Sequence, residues 1–134
     1  MERKNISSGA PWEDIVGYSR AVRIGNTVEV SGTAPVQEGK VHGDNAYEQT
    51  IACLEIIKRS LDQAGATLQD VVRTRIYVTD ISKWEQYAKA HSQYFGKIKP
   101  ATTMVEVSAL IDSSMMVEIE ATAVISERTV SVGY

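Results

Sequence analysis

The chain has 134 residues, 43% of them apolar and 23% charged, which suits a single domain over 1–134 with its own core. Its net charge is −3 and no Lys/Arg cluster appears, which argues against a nucleic-acid or membrane-surface partner. No apolar run approaches the ~20 residues that span a bilayer, and the lone cysteine, Cys53, excludes an internal disulfide and fits a cytoplasmic protein.

Taken in chain order, Met1 to Asn5 lacks the apolar stretch of a signal peptide. Residues 18–24 and 27–33 read as strands joined by Gly25-Asn26, a pair that tolerates the positive φ of a two-residue hairpin turn. A turn is expected at Glu38-Gly39-Lys40. Residues 45–64 read as a helix, with Tyr47, Ile51, Leu54, Ile57, Leu61 and Ala64 at spacings of three or four. Asp44 or Asn45 caps its start and Gly65 supplies a left-handed stop. Cys53 lies near this stripe and reads as packing.

Residues 70–79 read as a strand with Val72, Thr74, Ile76 and Val78 on the helix-covered face and Arg73, Arg75 and Tyr77 on the other. A second helix spans 83–95, with a capping box at Ser82 and Glu85 and an inward stripe of Trp84, Tyr87, His91 and Tyr94. Gly96 stops it. Residues 102–108 and 115–125 are the last strands, and the second of them alternates Val117, Ile119, Ala121 and Ala123 with Glu118, Glu120 and Thr122. The class is α+β: a sheet with both helices on one face. The other face carries Arg73, Arg75, Glu106, Glu118 and Glu120, joined by Tyr77, Met104 and Met116. It is either a solvated surface with cross-strand ion pairs or a subunit contact. With two histidines, one cysteine and no paired ligand spacing, no metal is expected.

Three segments together carry a resemblance. They are Tyr18-Ser19-Arg20-Ala21-Val22 with Gly25-Asn26 and Ser31-Gly32; Ala64 to Leu68 with Asp70 to Thr74 and Tyr77 to Asp80; and Pro100 to Val107 with Val117 to Ala121. Over about residues 15–125 the chain resembles the Rid family, also called YjgF or L-PSP proteins. The resemblance implies a chorismate-mutase-like fold with a mixed six-stranded sheet. It implies a homotrimer whose sheets face a central barrel, with small-molecule clefts between subunits. It also implies cofactor-free hydrolysis of imines and enamines, such as 2-aminoacrylate and 2-iminobutanoate, to 2-keto acids and ammonia.

Such chemistry needs a clamp for the substrate carboxylate and a carboxylate that orients water. The family's clamping arginine, two residues after Pro100, is replaced here by Thr102, which offers one hydroxyl and no charge. That argues against the standard 2-iminobutanoate/2-iminopropanoate deaminase activity and points to a branch without the arginine. Glu118 matches the catalytic glutamate, or else serves a barrel ion pair. Tyr18, Ser31 and Gly32 match the cleft wall, Met104 stands where a cysteine is common, and Trp84 holds an aromatic position of the cleft. Ala88 replaces the site asparagine and His91 a usual tyrosine. Arg75, like Arg73, is a nearby cation for the missing charge. The expected function is hydrolase or deaminase-like action on a small imine, enamine or related metabolite. The alternative is a non-catalytic ligand-binding or regulatory trimer. A ribonuclease role is disfavoured by the acidic balance.

Overall fold

The structure is a computed structural model that describes residues 1–126. Its chain runs β1 (Arg3–Ile6), α1 (Pro11–Val16), β2 (Ala21–Ile24), β3 (Thr27–Thr33), β4 (Val36–Gln37), β5 (Lys40–Val41), α2 (Ala46–Gln63), β6 (Val71–Val78), α3 (Trp84–Phe95), β7 (Ala101–Glu106) and β8 (Val117–Val124). Six strands form a mixed sheet in the order β1-β2-β3-β8-β6-β7, and β4 and β5 pair separately around the Glu38-Gly39 turn. Only β6 and β7 pair in parallel within the larger sheet, and α3 is the crossover that a parallel pair requires. The α+β reading holds. β1, α1 and the β4–β5 pair lie outside the elements expected from sequence.

Local chemistry explains the best-read elements. β2 and β3 close at Ile24 opposite Thr27, with Gly25 at φ 58°, as a two-residue hairpin requires. Asn45 is the cap of α2: its Oδ1 accepts from the Glu48 backbone N–H at 2.8 Å. Gly65, at φ 82°, ends the helix, and Ala66 N–H donates back to Leu61 O.

α2 packs across β3 and β8, and α3 packs on α2. Leu54, Ile57 and Leu61 of α2 and Tyr87 and Phe95 of α3 share one buried cluster with the inward residues of β3, β6 and β8. The opposite face carries Arg73, Arg75, Tyr77, Glu118 and Glu120, with Tyr77 Oη donating to Glu120 Oε1 at 2.6 Å.

Several expectations are corrected. The β6–β8 pairing steps from Val71–Ala123 to Arg73–Thr122, leaving Val72 as a bulge. Val71 is therefore the buried residue and Val72 is 47% exposed. Met104 pairs with Ile76 and packs against the core, so it leaves the polar face; Met116 also packs there. Glu106 pairs with Val78, and its Oε1 accepts from Ile81 N–H near the start of α3. The Ser82–Glu85 capping box does not form. Asp80 lies two residues before Ser82 and takes both its N–H and its hydroxyl, in a tight side-chain turn. Trp84 is not inward: residues 81–85 are all exposed, because the stripe of α3 starts before there is core to cover.

Candidate functional site

The pairing of β3 with β8 shifts between Val30 and Thr33, which places Ser31 and Gly32 in an irregular stretch beside Glu118. A Cβ on Gly32 would stand 2.6 Å from Glu118 Oε2, so the absent side chain makes room for the carboxylate. Arg20, just before β2, donates from Nη2 to Gly32 O at 2.6 Å. Its guanidinium carbon lies 5.9 Å from the Tyr18 ring centroid. Ser31 N–H donates to Arg20 O, and Ser31 Oγ donates to Ser19 O at 2.6 Å. Tyr18, Ser31, Gly32 and Glu118, singled out from sequence, therefore meet in one place, with Arg20 at its centre.

The electrostatics are those of a half-buried cluster. Burial pushes the Glu118 carboxyl above its ordinary value; Arg20 opposes this and Glu120 adds to it. Burial also weakens the hold of Arg20 on its proton, and Tyr18, Glu13 and Glu118 offset this only in part. Arg20 Nε is buried without a hydrogen-bond partner among the described residues. Beneath them Cys53 is fully buried, and desolvation drives its thiol far up, so it is a packing residue and no nucleophile.

Thr102 belongs to a second group. It pairs with Thr74 across β6 and β7, and the two hydroxyls share a hydrogen bond of 2.8 Å. Thr74 Oγ1 is also 2.9 Å from His91 Nε2. His91 is half-buried, tilted on the Phe95 ring, and burial lowers its pKa. Within one chain Thr102 and Glu118 do not meet: Thr102 shares the helix side of the sheet with Thr74, while Glu118 stands opposite Tyr77 on the polar side.

The remaining candidates scatter. Arg75 lies opposite Glu120 in a shallow groove of about 190 Å³ that Glu29, Ser31 and Thr122 also line. Arg73 donates to Thr103 Oγ1. Trp84 is 54% exposed at the start of α3. A larger groove of about 500 Å³ between α2 and residues 66–69 holds none of the predicted site residues. Among the described residues no His, Cys, Asp or Glu group is arranged to hold a metal ion, and no helix is long and apolar enough to cross a membrane. Arg20 is the residue that sequence reading missed. Its signal is its place two residues from Tyr18 in a stretch that reads from sequence as a strand, where it would share Tyr18's side.

Comparison with known proteins decides the family. The family model described as Endoribonuclease L-PSP matches residues 9–125. The chain belongs to the YjgF/L-PSP family. A RutC family protein of Pyrococcus abyssi is 38% identical over 108 residues, 79% of this chain and 84% of its own length. A protein of Acinetobacter baylyi named 3-aminoacrylate deaminase RutC is 33% identical over 120 residues, 88% of this chain and 94% of its own. Among solved structures, a YjgF/YER057c/UK114 family member of Mycobacterium tuberculosis is 54% identical, with TM-score 0.87 over 92% of this chain and 100% of the other. The YjgF product of E. coli is 29% identical, with TM-score 0.81 over 92% and 99%. The mixed six-stranded sheet with its helices is thus the fold of this family.

Proposed function

We propose that this YjgF/L-PSP protein is a cofactor-free hydrolase of small imines or enamines, in a branch whose cleft lacks the arginine clamp. The observation that carries the reading is the close packing of Glu118 into the space left by Gly32, beside Arg20. A carboxyl raised by burial binds and releases protons nearer neutrality, which suits it to orient water and pass protons at an imine carbon. Tyr18 and the Ser31-Gly32 backbone complete the wall. The deaminase name of the Acinetobacter relative supports the reaction class.

The whole chain works as one domain in a cytoplasmic homotrimer. Its polar sheet faces line a barrel, and its clefts lie between subunits, where Thr102 of one copy approaches the Glu118 wall of another. Two features support this. The polar face holds ionisable residues at close quarters, and β7 is an edge strand exposed at Ala101, Thr102, Thr103, Val105 and Glu106. Met104, Trp84, His91 and Arg75 contribute to the rim of that cleft.

Keto-acid release from enzymatically generated 2-aminoacrylate or 2-iminobutanoate tests the reading. Release faster with protein than without, and abolished by Glu118→Gln, is expected. Equal rates with and without protein sink the hydrolase reading. A second reading, a ligand-binding trimer without turnover, is favoured by one observation: the Thr102 hydroxyl is already engaged with Thr74 and Pro100 and carries no charge. Losing a hydrogen bond to a charged group costs about 1.5–3 kcal/mol, enough to weaken a carboxylate substrate strongly.

A further inference from the structure

Thr102, Thr74 and His91 form a chain from the interior to the surface. Thr74 is fully buried, His91 half-buried and Thr102 exposed. The two links measure 2.9 and 2.8 Å, and Thr102 Oγ1 ends the chain at Pro100 O, 3.2 Å away. Each hydroxyl has a single proton to give. If His91 Nε2 carries hydrogen, it donates to Thr74, Thr74 donates to Thr102, and the Thr102 proton is left for Pro100. That last link is the longest of the three and the one an incoming acceptor replaces. If the proton sits on Nδ1, the direction reverses: Thr74 donates to Nε2, Thr102 donates to Thr74, and Thr102 offers lone pairs only.

We propose that His91, acting through Thr74, is a positioning residue that holds Thr102 as a hydrogen-bond donor toward an oxygen of a small carboxylate ligand. The inference rests on reading Thr102 as a cleft residue. A protonated imidazole has hydrogen on both nitrogens and only donates, so an anion at Thr102 favours charged His91, and by linkage charged His91 favours the anion. The surroundings leave the ring free to respond. Phe95 stacks at 4.7 Å on α3, Thr74 and Thr102 face it from β6 and β7, and no charged side chain of α2, α3, β6 or β7 contributes to its lowered pKa, which burial alone sets. Glu118 is the other titrating group of the cleft and also favours an anion when protonated, so its contribution must be separated.

Calorimetric titration of the full chain with 2-oxobutanoate, from about pH 5 to about pH 8, spans the histidine range. Wild-type affinity is expected to weaken by roughly tenfold as pH rises, a coupling of ordinary size. Thr74→Val is expected to lose the histidine step and keep only the Glu118 one, and Thr74→Ser to restore wild-type behaviour. His91→Gln, whose amide keeps a donor, is expected to bind with no histidine step. Wild-type affinity and pH profile in Thr74→Val overturn the relay while leaving the cleft reading in place. If Thr74→Val does not fold, an unchanged pH step in His91→Gln overturns the relay instead. Absence of 2-oxobutanoate binding by the wild-type chain at every pH overturns the relay and the cleft reading together.

Discussion

Gly32 and Glu118 compete for one volume, since the carboxylate oxygen lies 2.6 Å from the point where a Gly32 side chain would begin. The backbone at Gly32 is not in the left-handed region, so the glycine is required by contact and not by conformation. Gly32→Ala therefore pushes Glu118 aside. The obstructing atom is the end of a flexible side chain, so the stability loss is expected to be small, about 1 kcal/mol by urea unfolding. Any Glu118-dependent turnover or ligand binding is expected to fall far more. Unchanged function in Gly32→Ala means that the position of the Glu118 carboxylate does not matter.

Arg20 favours the ionised form of Glu118. It pulls the carboxyl pKa down while burial and Glu120 push it up. Arg20→Met removes the pull and leaves Gly32 O without its donor. The Glu118 titration midpoint, followed by carboxyl carbon NMR, is expected to move upward, with Arg20→Lys lying between. A midpoint that stays fixed in both variants contradicts the coupling.

His91 makes the fold sensitive to mild acid. Burial lowers its pKa below the ordinary 6.5, so the unfolded chain takes up the proton first as pH falls. The unfolded state then binds more protons, and stability rises with pH through that window. The loss begins as pH drops past the ordinary value and is complete below the folded value. The urea midpoint of the wild type is expected to fall across this range, and that of His91→Gln to be flatter. Glu118 works the other way: its raised pKa favours the fold at pH below its ordinary 4.5, and that benefit is lost as pH rises through the folded value.

The sequence makes legible what neighbours along the chain decide. The Gly25-Asn26 turn, the Asn45 cap, the Gly65 stop and the alternation of β8 each depend on a few adjacent residues. The failures depend on partners. Alternation runs unbroken through Val72 in sequence and points it inward, whereas the bulge opposite β8 breaks the alternation in space. The sides of Met104 and Glu106 are not marked in the sequence, because β7 is exposed along most of its length, which leaves no clean pattern to set its phase. The spacing of Arg20 from Tyr18 marks its side, but no neighbour along the chain tells that its guanidinium turns to Gly32 O, twelve residues on. Tyr18, Ser31, Gly32 and Glu118 were legible as a group only through the family resemblance.

The exposed β7 edge is expected to lie in the subunit contact. Val105 is 42% exposed there, away from the Glu118 cluster. Val105→Glu places a charge where a neighbouring copy would bury it, a cost of several kcal/mol without a partner. Sedimentation is expected to show the wild type at three times the 14.7 kDa chain mass and the variant shifted toward the single chain, with far-ultraviolet dichroism preserved. A wild type that sediments as one chain removes the trimer.

Thr102→Arg asks whether the cleft lacks only its cation. Thr102 is exposed at an edge strand, and Thr74 keeps His91 as a partner after the change. The stability cost is expected within about 1 kcal/mol, as for surface sites whose hydrogen bond has a substitute. An arginine fork pairs with a carboxylate in two parallel bonds and keeps its charge at all working pH values. Release of 2-oxobutanoate from 2-iminobutanoate is expected to rise by roughly 10- to 150-fold in kcat/KM, the equivalent of one charged hydrogen bond. Adding Glu118→Gln to this background is expected to remove the gain. If Thr102→Arg stays folded and trimeric yet shows no gain, the Thr102 and Glu118 walls do not face one substrate.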